Sequence, residues 1–162
     1  MITASELAGF FAAHAIWCVS EGDTLIPMLA YTTLDGQRKM DRLVFDNPAD
    51  AVAFGRMKLA SNEMGADDCV LVYDGRIPVG NEKLDAIILE LRTVFSPNSQ
   101  MTIAIPYTPK HIQPFRVHKP KLLEWEHCED FDLDYAFESF FKGMAGHEKG
   151  AEIWNTSVDE SK

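Results

Sequence analysis

The middle of the chain reads YDGRIPVGNEKLDAIILELR from Tyr73 to Arg92. In its second half, apolar residues recur at every other position, which predicts a β-strand over Ala86–Phe95 with Ile87, Leu89, Leu91 and Phe95 on one face. Glu90 and Arg92 are two residues apart, so both side chains point to the other face of this strand. The stretch therefore admits two interpretations: a charged pair on an ordinary sheet, or part of a catalytic centre.

A second strand precedes this one at Cys69–Tyr73, where CVLVY is a short, uninterrupted apolar run. Such a run is typical of a strand in the interior of a sheet. The segment that joins the two strands contains Asp74-Gly75, Pro78 and Gly80. It is longer than a tight hairpin requires, so it either extends both strands or forms a protruding loop.

Apolar periodicity outside this region predicts three helices and three further strands. Asn47 is placed to cap the second helix, and Asp35-Gly36 supplies a tight turn between the first two strands. We therefore expect an α+β fold in the order α-β-β-α-β-β-β-α, a mostly antiparallel sheet of about five strands with helices packed on one face. The further elements are helices around Leu7–Cys18, Pro48–Met64 and Leu133–Met144, and strands at Leu25–Thr33, Met40–Asp46 and Met101–Tyr107.

The length of 162 residues fits one domain. Residues 1–146 are predicted to form it, and residues 147–162 a polar C-terminal tail in which Trp154 is the candidate for docking. The net charge is -10, and residues 124–162 contribute 11 acidic and 3 basic residues, or -8 of that total. An acidic chain is not expected to bind nucleic acid, because that affinity depends on neutralising phosphates.

Cysteine usage indicates a reducing compartment. Cys18, Cys69 and Cys128 are odd in number and far apart, and the sequence contains no CxxC pair. Free thiols of this kind predict a cytoplasmic protein. The apolar run Leu7–Val19 has no preceding Lys or Arg and is shorter than a membrane span, so no membrane association is predicted.

The catalytic interpretation of the central stretch uses Asp74, Glu90 and Arg92. An acidic residue on one strand followed by Glu-x-Lys on the next is similar in outline to the centre of many metal-dependent nucleases. That resemblance implies a metal-dependent phosphodiester hydrolase with Asp74 and Glu90 as ligands and Arg92 on the substrate phosphate. Arg92 stands where Lys is usual, and it cannot act as a base. The competing interpretation is that Glu90 and Arg92 form salt bridges with neighbouring strands.

Histidines supply two further candidates. His118, His127 and Cys128 carry ligand types that zinc prefers, but their spacing matches no familiar site, so they are weak metal candidates and no cofactor is predicted. His14 lies in the middle of the apolar stripe of the first helix. A buried imidazole needs a hydrogen-bond partner, which the sequence does not identify.

The acidic C-terminal region gives the leading hypothesis about function. Trp125, Glu126, Glu129 and Trp154 combine aromatic side chains that can anchor a partner with carboxylates that can steer it. No catalytic sequence motif is present. We therefore predict a non-catalytic protein, of an adaptor, inhibitor or immunity type, that binds a protein of basic character or associates with itself as a homodimer. A small-molecule binder with a pocket lined by aromatics such as Trp17 or Tyr73 is the remaining alternative.

Overall fold

The computed structural model describes all residues, 1–162, and has the predicted α+β architecture: four helices and a seven-stranded antiparallel sheet. The predicted order of elements is confirmed, but two short strands after the fifth raise the strand number from about five to seven. The helices are α1 Ile2–Ser20, α2 Pro48–Ser61, α3 Leu133–Ala145 and α4 Glu148–Ser157. The strands are β1 Met28–Thr32, β2 Arg38–Arg42, β3 Asp68–Val79, β4 Glu82–Thr93, β5 Gln100–Thr108, β6 Arg116–Val117 and β7 Lys121–Glu126.

The central hairpin of the sheet is formed by β3 and β4, each twelve residues long. Val79 pairs with Glu82, so only Gly80 and Asn81 lie in the turn, and Gly80 adopts the positive φ of 61° that this kind of turn requires. The long connection seen in the sequence therefore extends both strands. The strands follow the order β2-β1-β3-β4-β5, and β6 and β7 pair with opposite ends of β5.

Helix α1 covers one face of the sheet, which we call the inner face. Val70, Val72 and Leu89 lie in the core beneath it, and α3 and α4 pack against the other side of α1. By length and composition, α1 is the one helix long and apolar enough to cross a membrane, and 61% of that apolar window is buried inside the fold.

Helix α2 lies on the opposite, outer face, so the prediction that all helices share one face is wrong in this respect. Its residues Ala51 and Leu59 form a separate core with Leu29, Cys69 and Leu71. The physical reason is visible in the run CVLV. An uninterrupted apolar strand carries apolar side chains on both faces, so each face needs a covering layer.

Residues 147–162, expected to be a polar tail, contain helix α4. The His147 side chain caps this helix by accepting a hydrogen bond from the Gly150 backbone N–H at 3.0 Å. Trp154 is half-buried, with its ring 6.1 Å from that of Phe141 on α3. The segment is therefore helical and contacts the domain through Trp154.

Candidate functional site

Glu90 lies on the outer face of β4, opposite Leu71 of β3. Helix α2 places Arg56 over it, and the Arg56 Nε donates to both carboxylate oxygens at 3.1 and 3.0 Å. The Arg56 Nη2 also donates to the Tyr73 hydroxyl at 3.0 Å. Burial raises the pKa of Tyr73 to about 12, so the phenol stays protonated at neutral pH. Glu90 thus has a charged partner, which comes from a helix rather than from a neighbouring strand.

Asp74 lies on the inner face, because the register of β3 and β4 is continuous and side chains alternate between faces. Its carboxylate accepts a hydrogen bond from the Tyr107 hydroxyl at 2.9 Å. Burial raises the pKa of Asp74 and also that of Tyr107. Asp74 and Glu90 are therefore on opposite faces of the sheet and cannot bind the same ion. The two-carboxylate metal centre that the sequence suggested is not formed.

Arg92 shares the outer face with Glu90, as the alternation predicted. It does not join the Arg56–Glu90 pair. Its Nη1 donates to the Leu91 carbonyl at 2.8 Å and its Nη2 to the Gln100 Oε1 at 3.1 Å. Both acceptors are neutral, so the charge of Arg92 is not compensated by a carboxylate of this chain.

Two clefts open on the outer face. One, of about 300 Å³, lies beside the Arg56–Glu90 pair and is lined by Tyr73. The other, of about 440 Å³, is lined by Arg92. Trp17, the other aromatic residue considered for a pocket, lies elsewhere: it packs on α1 against His14.

The three weak metal candidates do not come together. His118 is buried, and its ring nitrogens contact the Thr108 hydroxyl at 3.2 Å and the Asp159 carbonyl at 3.1 Å. His127 and Cys128 follow β7, at the other end of β5, on the order of 20 Å away along the strand. No group of three or more His, Cys, Asp or Glu side chains in the chain is close enough to hold a metal ion.

The hydrogen-bond partner of His14 is His147, which the sequence did not reveal. The His14 Nδ1 lies 3.2 Å from the His147 Nε2. Since the His147 Nδ1 accepts the N–H of Gly150, a neutral His147 carries its proton on Nε2 and donates it to His14. Burial lowers the pKa of both histidines. The neutral pair therefore joins α4 to α1.

Exposed carboxylates recur along residues 124–138, and we call this stretch the acidic surface: Glu124 lies on the outer face of the sheet, beside the same cleft as Arg56, and α3 packs on α1 at the inner face. Its seven carboxylates are all exposed, and no Lys or Arg occurs between Leu122 and Phe141. The six ion pairs of the chain all use carboxylates from other regions. The members of the acidic surface are Glu124, Glu126, Glu129, Asp130, Asp132, Asp134 and Glu138.

The four residues predicted to bind a partner are divided between surface and core. Glu126 and Glu129 are exposed within the acidic surface. Trp125 is half-buried, packs against the inner core and pairs with Met101 across β5 and β7. Trp154 is also half-buried, so neither tryptophan is the most exposed aromatic of this region.

The exposed aromatic residues of helix α3 are Tyr135 and Phe141, with 56% and 41% of their surface accessible. Asp134, Glu138 and Phe141 are spaced by four and three residues on α3, so they share one stripe of the helix. This places an apolar ring directly beside two carboxylates. Apolar periodicity did not single out Tyr135 or Phe141, because it does not show which apolar side chains of a helix stay exposed after packing.

Comparison with known proteins provides no relative for this chain: it matches no family model, no curated protein and no solved structure.

Proposed function

We propose that this protein is a non-catalytic binding protein whose partner is a basic polypeptide that docks on the acidic surface. The observation that carries the proposal is the set of seven exposed carboxylates over residues 124–138, none of them in an ion pair. With no Lys or Arg among them in the sequence, these carboxylates make this part of the chain strongly negative. A partner that supplies Lys or Arg side chains is attracted by this negative charge and is steered to it during encounter.

The apolar residues beside the carboxylates support the same function. Charge alone gives fast and weakly specific association, whereas affinity comes mainly from aromatic residues that become buried in the complex. Tyr135 and Phe141 are exposed on α3, the helix that also carries Asp134 and Glu138. The acidic surface therefore carries both components of a docking site for a basic partner.

The polar residues considered for catalysis have other structural partners. Glu90 binds Arg56, and Asp74 binds Tyr107 on the opposite face. This arrangement favours an adaptor or inhibitor over a hydrolase. The three free cysteines are consistent with action in a reducing compartment such as the cytoplasm.

Calorimetric titration with a synthetic peptide rich in Lys and Arg tests the proposal. The wild-type protein should bind the peptide, and its affinity should fall as salt is added, because exposed charges are screened. The triple variant Glu126→Gln, Glu129→Gln, Asp134→Asn should bind at least about tenfold more weakly, the loss expected when charge-assisted contacts are removed.

The matched control removes three carboxylates elsewhere. Asp23, Asp46 and Glu152 are exposed and outside ion pairs, so their replacement by amides changes the net charge by the same amount. This variant should bind like the wild type. Equal weakening of both triple variants would mean that the peptide senses only net charge, and the proposed surface would be wrong. Sedimentation of the free protein separately tests self-association.

A further inference from the structure

The larger cleft of the outer face lies at the end of the sheet, between the C-terminal turn of α2, the start of β3 and the end of β4. Its volume is about 440 Å³, within the range of small-molecule sites. None of its lining residues belongs to the acidic surface. The cleft therefore has its own lining, and it adjoins the acidic surface where Gln100 pairs with Glu126 across β5 and β7.

Arg92 is the charged donor of this cleft and is half-buried in it. A guanidinium has five N–H groups in a rigid fork, and the hydrogen bonds to Leu91 and Gln100 use two of them. No carboxylate of the chain forms an ion pair with Arg92. The remaining N–H groups are available to a ligand, and the planar fork matches the two oxygens of a carboxylate.

The other lining residues set the chemistry of the ligand. Leu59, Ala60 and Pro97 supply apolar surface around the guanidinium. Burial raises the pKa of Cys69 to about 12, so its thiol is neutral and does not compete with an anion for Arg92. Asp67 also lines the cleft, so it opposes any anion there and opposes a doubly charged anion more strongly than a singly charged one.

We propose that this cleft binds a small organic monocarboxylate. The carboxylate accepts two hydrogen bonds from Arg92, and the apolar body of the ligand packs against Leu59 and Pro97. A phosphate, which carries more than one negative charge at neutral pH, is disfavoured by Asp67. The Gln100 side chain, whose Oε1 accepts from Arg92, fixes the orientation of the guanidinium.

The test uses benzoate as the probe and follows amide chemical shifts of the full-length, ¹⁵N-labelled protein. Benzoate should shift the resonances of Arg92, Gln100 and Leu59, with an affinity on the order of millimolar. Benzyl alcohol, which has the same ring without the charge, and inorganic phosphate should each bind at least about tenfold more weakly, because each lacks one of the two recognition elements.

Two variants test the site in different ways. Arg92→Gln removes the charge, and Ala60→Phe fills the cleft from an exposed position of α2 and leaves the charge in place. Each variant should weaken benzoate binding at least about tenfold, which is the scale of one charge-assisted contact. The control Arg42→Gln, on the exposed edge strand β2, should leave benzoate binding unchanged. Undiminished benzoate binding by Ala60→Phe, or phosphate binding as tight as benzoate binding, would overturn the proposal.

Discussion

The Arg56 guanidinium and the Glu90 carboxylate form an ion pair of unequal partners: 57% of the Arg56 side chain is exposed, but only 10% of Glu90. The pair joins α2 to the outer face of the sheet at 3.0 Å. Because the carboxylate is the desolvated member, removal of Arg56 leaves a buried charge without its donor.

Replacing Arg56 by Met should lower the free energy of unfolding by about 1–3 kcal/mol, the cost of leaving a buried polar group unsatisfied. The double variant Arg56→Met, Glu90→Leu should recover most of this loss, because neither charge then remains. Urea denaturation measures the free energy of unfolding of the single and the double variant. Arg76→Met, which breaks an exposed pair with Asp85 at 3.6 Å, is the control and should cost less than about 1 kcal/mol. Similar losses for Arg56→Met and the double variant would contradict this account.

Close packing of α1 and α3 predicts that a substitution usually favourable in helices is harmful here. A Cβ atom on Gly9 would overlap the carbonyl oxygen of Phe140. Gly9→Ala should therefore destabilise the protein by about 2 kcal/mol or more, although Gly→Ala in an open helix stabilises by about 1 kcal/mol. At Gly146 the nearest atom is 3.2 Å from such a Cβ, so Gly146→Ala should change stability by less than about 1 kcal/mol. Thermal unfolding of both variants checks the contrast.

The His14–His147 pair should make stability depend on pH. Burial lowers the pKa of both residues, so the unfolded chain takes up protons first as the pH falls. Stability should be constant above about pH 6.5, the ordinary histidine pKa, and decrease as the pH falls from there through the lowered values. Urea denaturation at a series of pH values measures this slope.

The variant His147→Asn distinguishes the protonation of His147 from its role as the cap of helix α4. Asparagine can still accept the N–H of Gly150 as a helix cap, but it does not titrate. The variant should show a shallower loss of stability below about pH 6.5 than the wild type. His111 is exposed, and His111→Asn should leave the slope unchanged. An unchanged slope in His147→Asn would rule out the pair as the cause.

Asp68 should make the stability of the protein depend on pH in the opposite direction. It is 4% exposed, its Oδ1 has no hydrogen-bond partner, and burial raises its pKa. The pKa of an Asp carboxyl group in the unfolded chain is about 3.9, and in the folded protein the pKa of Asp68 is higher. The folded protein therefore loses stability as the pH rises from about 3.9 through the folded-state pKa. Asp68→Asn should therefore stabilise the protein at pH 7, and the gain should disappear near pH 4. A variant that is less stable than the wild type at both pH values would contradict this prediction.

Local signals were sufficient to predict much of the fold. Asp35-Gly36 gives the turn of the first hairpin, with Gly36 at a φ of +81°, and Asn47 caps α2 through a hydrogen bond from Ala49. The alternation in β4 correctly placed Glu90 and Arg92 on one face. These features depend on residues close together in sequence, so composition and spacing determine them.

The partners in the candidate sites depend on contacts between distant residues. Arg56 is 34 residues from Glu90, and His14 is 133 residues from His147. No periodicity specifies which helix lies over which strand. Helix α4 was not predicted because its sequence is polar. The helix is held by the His147 cap and by the close approach of Gly150 to the Ala13 backbone, a contact between distant residues.

The acidic surface of residues 124–138 is the central element of the proposed function, and its most direct test is chemical-shift mapping with a Lys- and Arg-rich peptide. The amide resonances that shift should cluster in residues 123–141, including Tyr135 and Phe141, and the shifts should disappear in the Glu126→Gln, Glu129→Gln, Asp134→Asn variant. Shifts spread over all exposed carboxylates of the chain, or shifts that persist in this variant, would contradict the proposal.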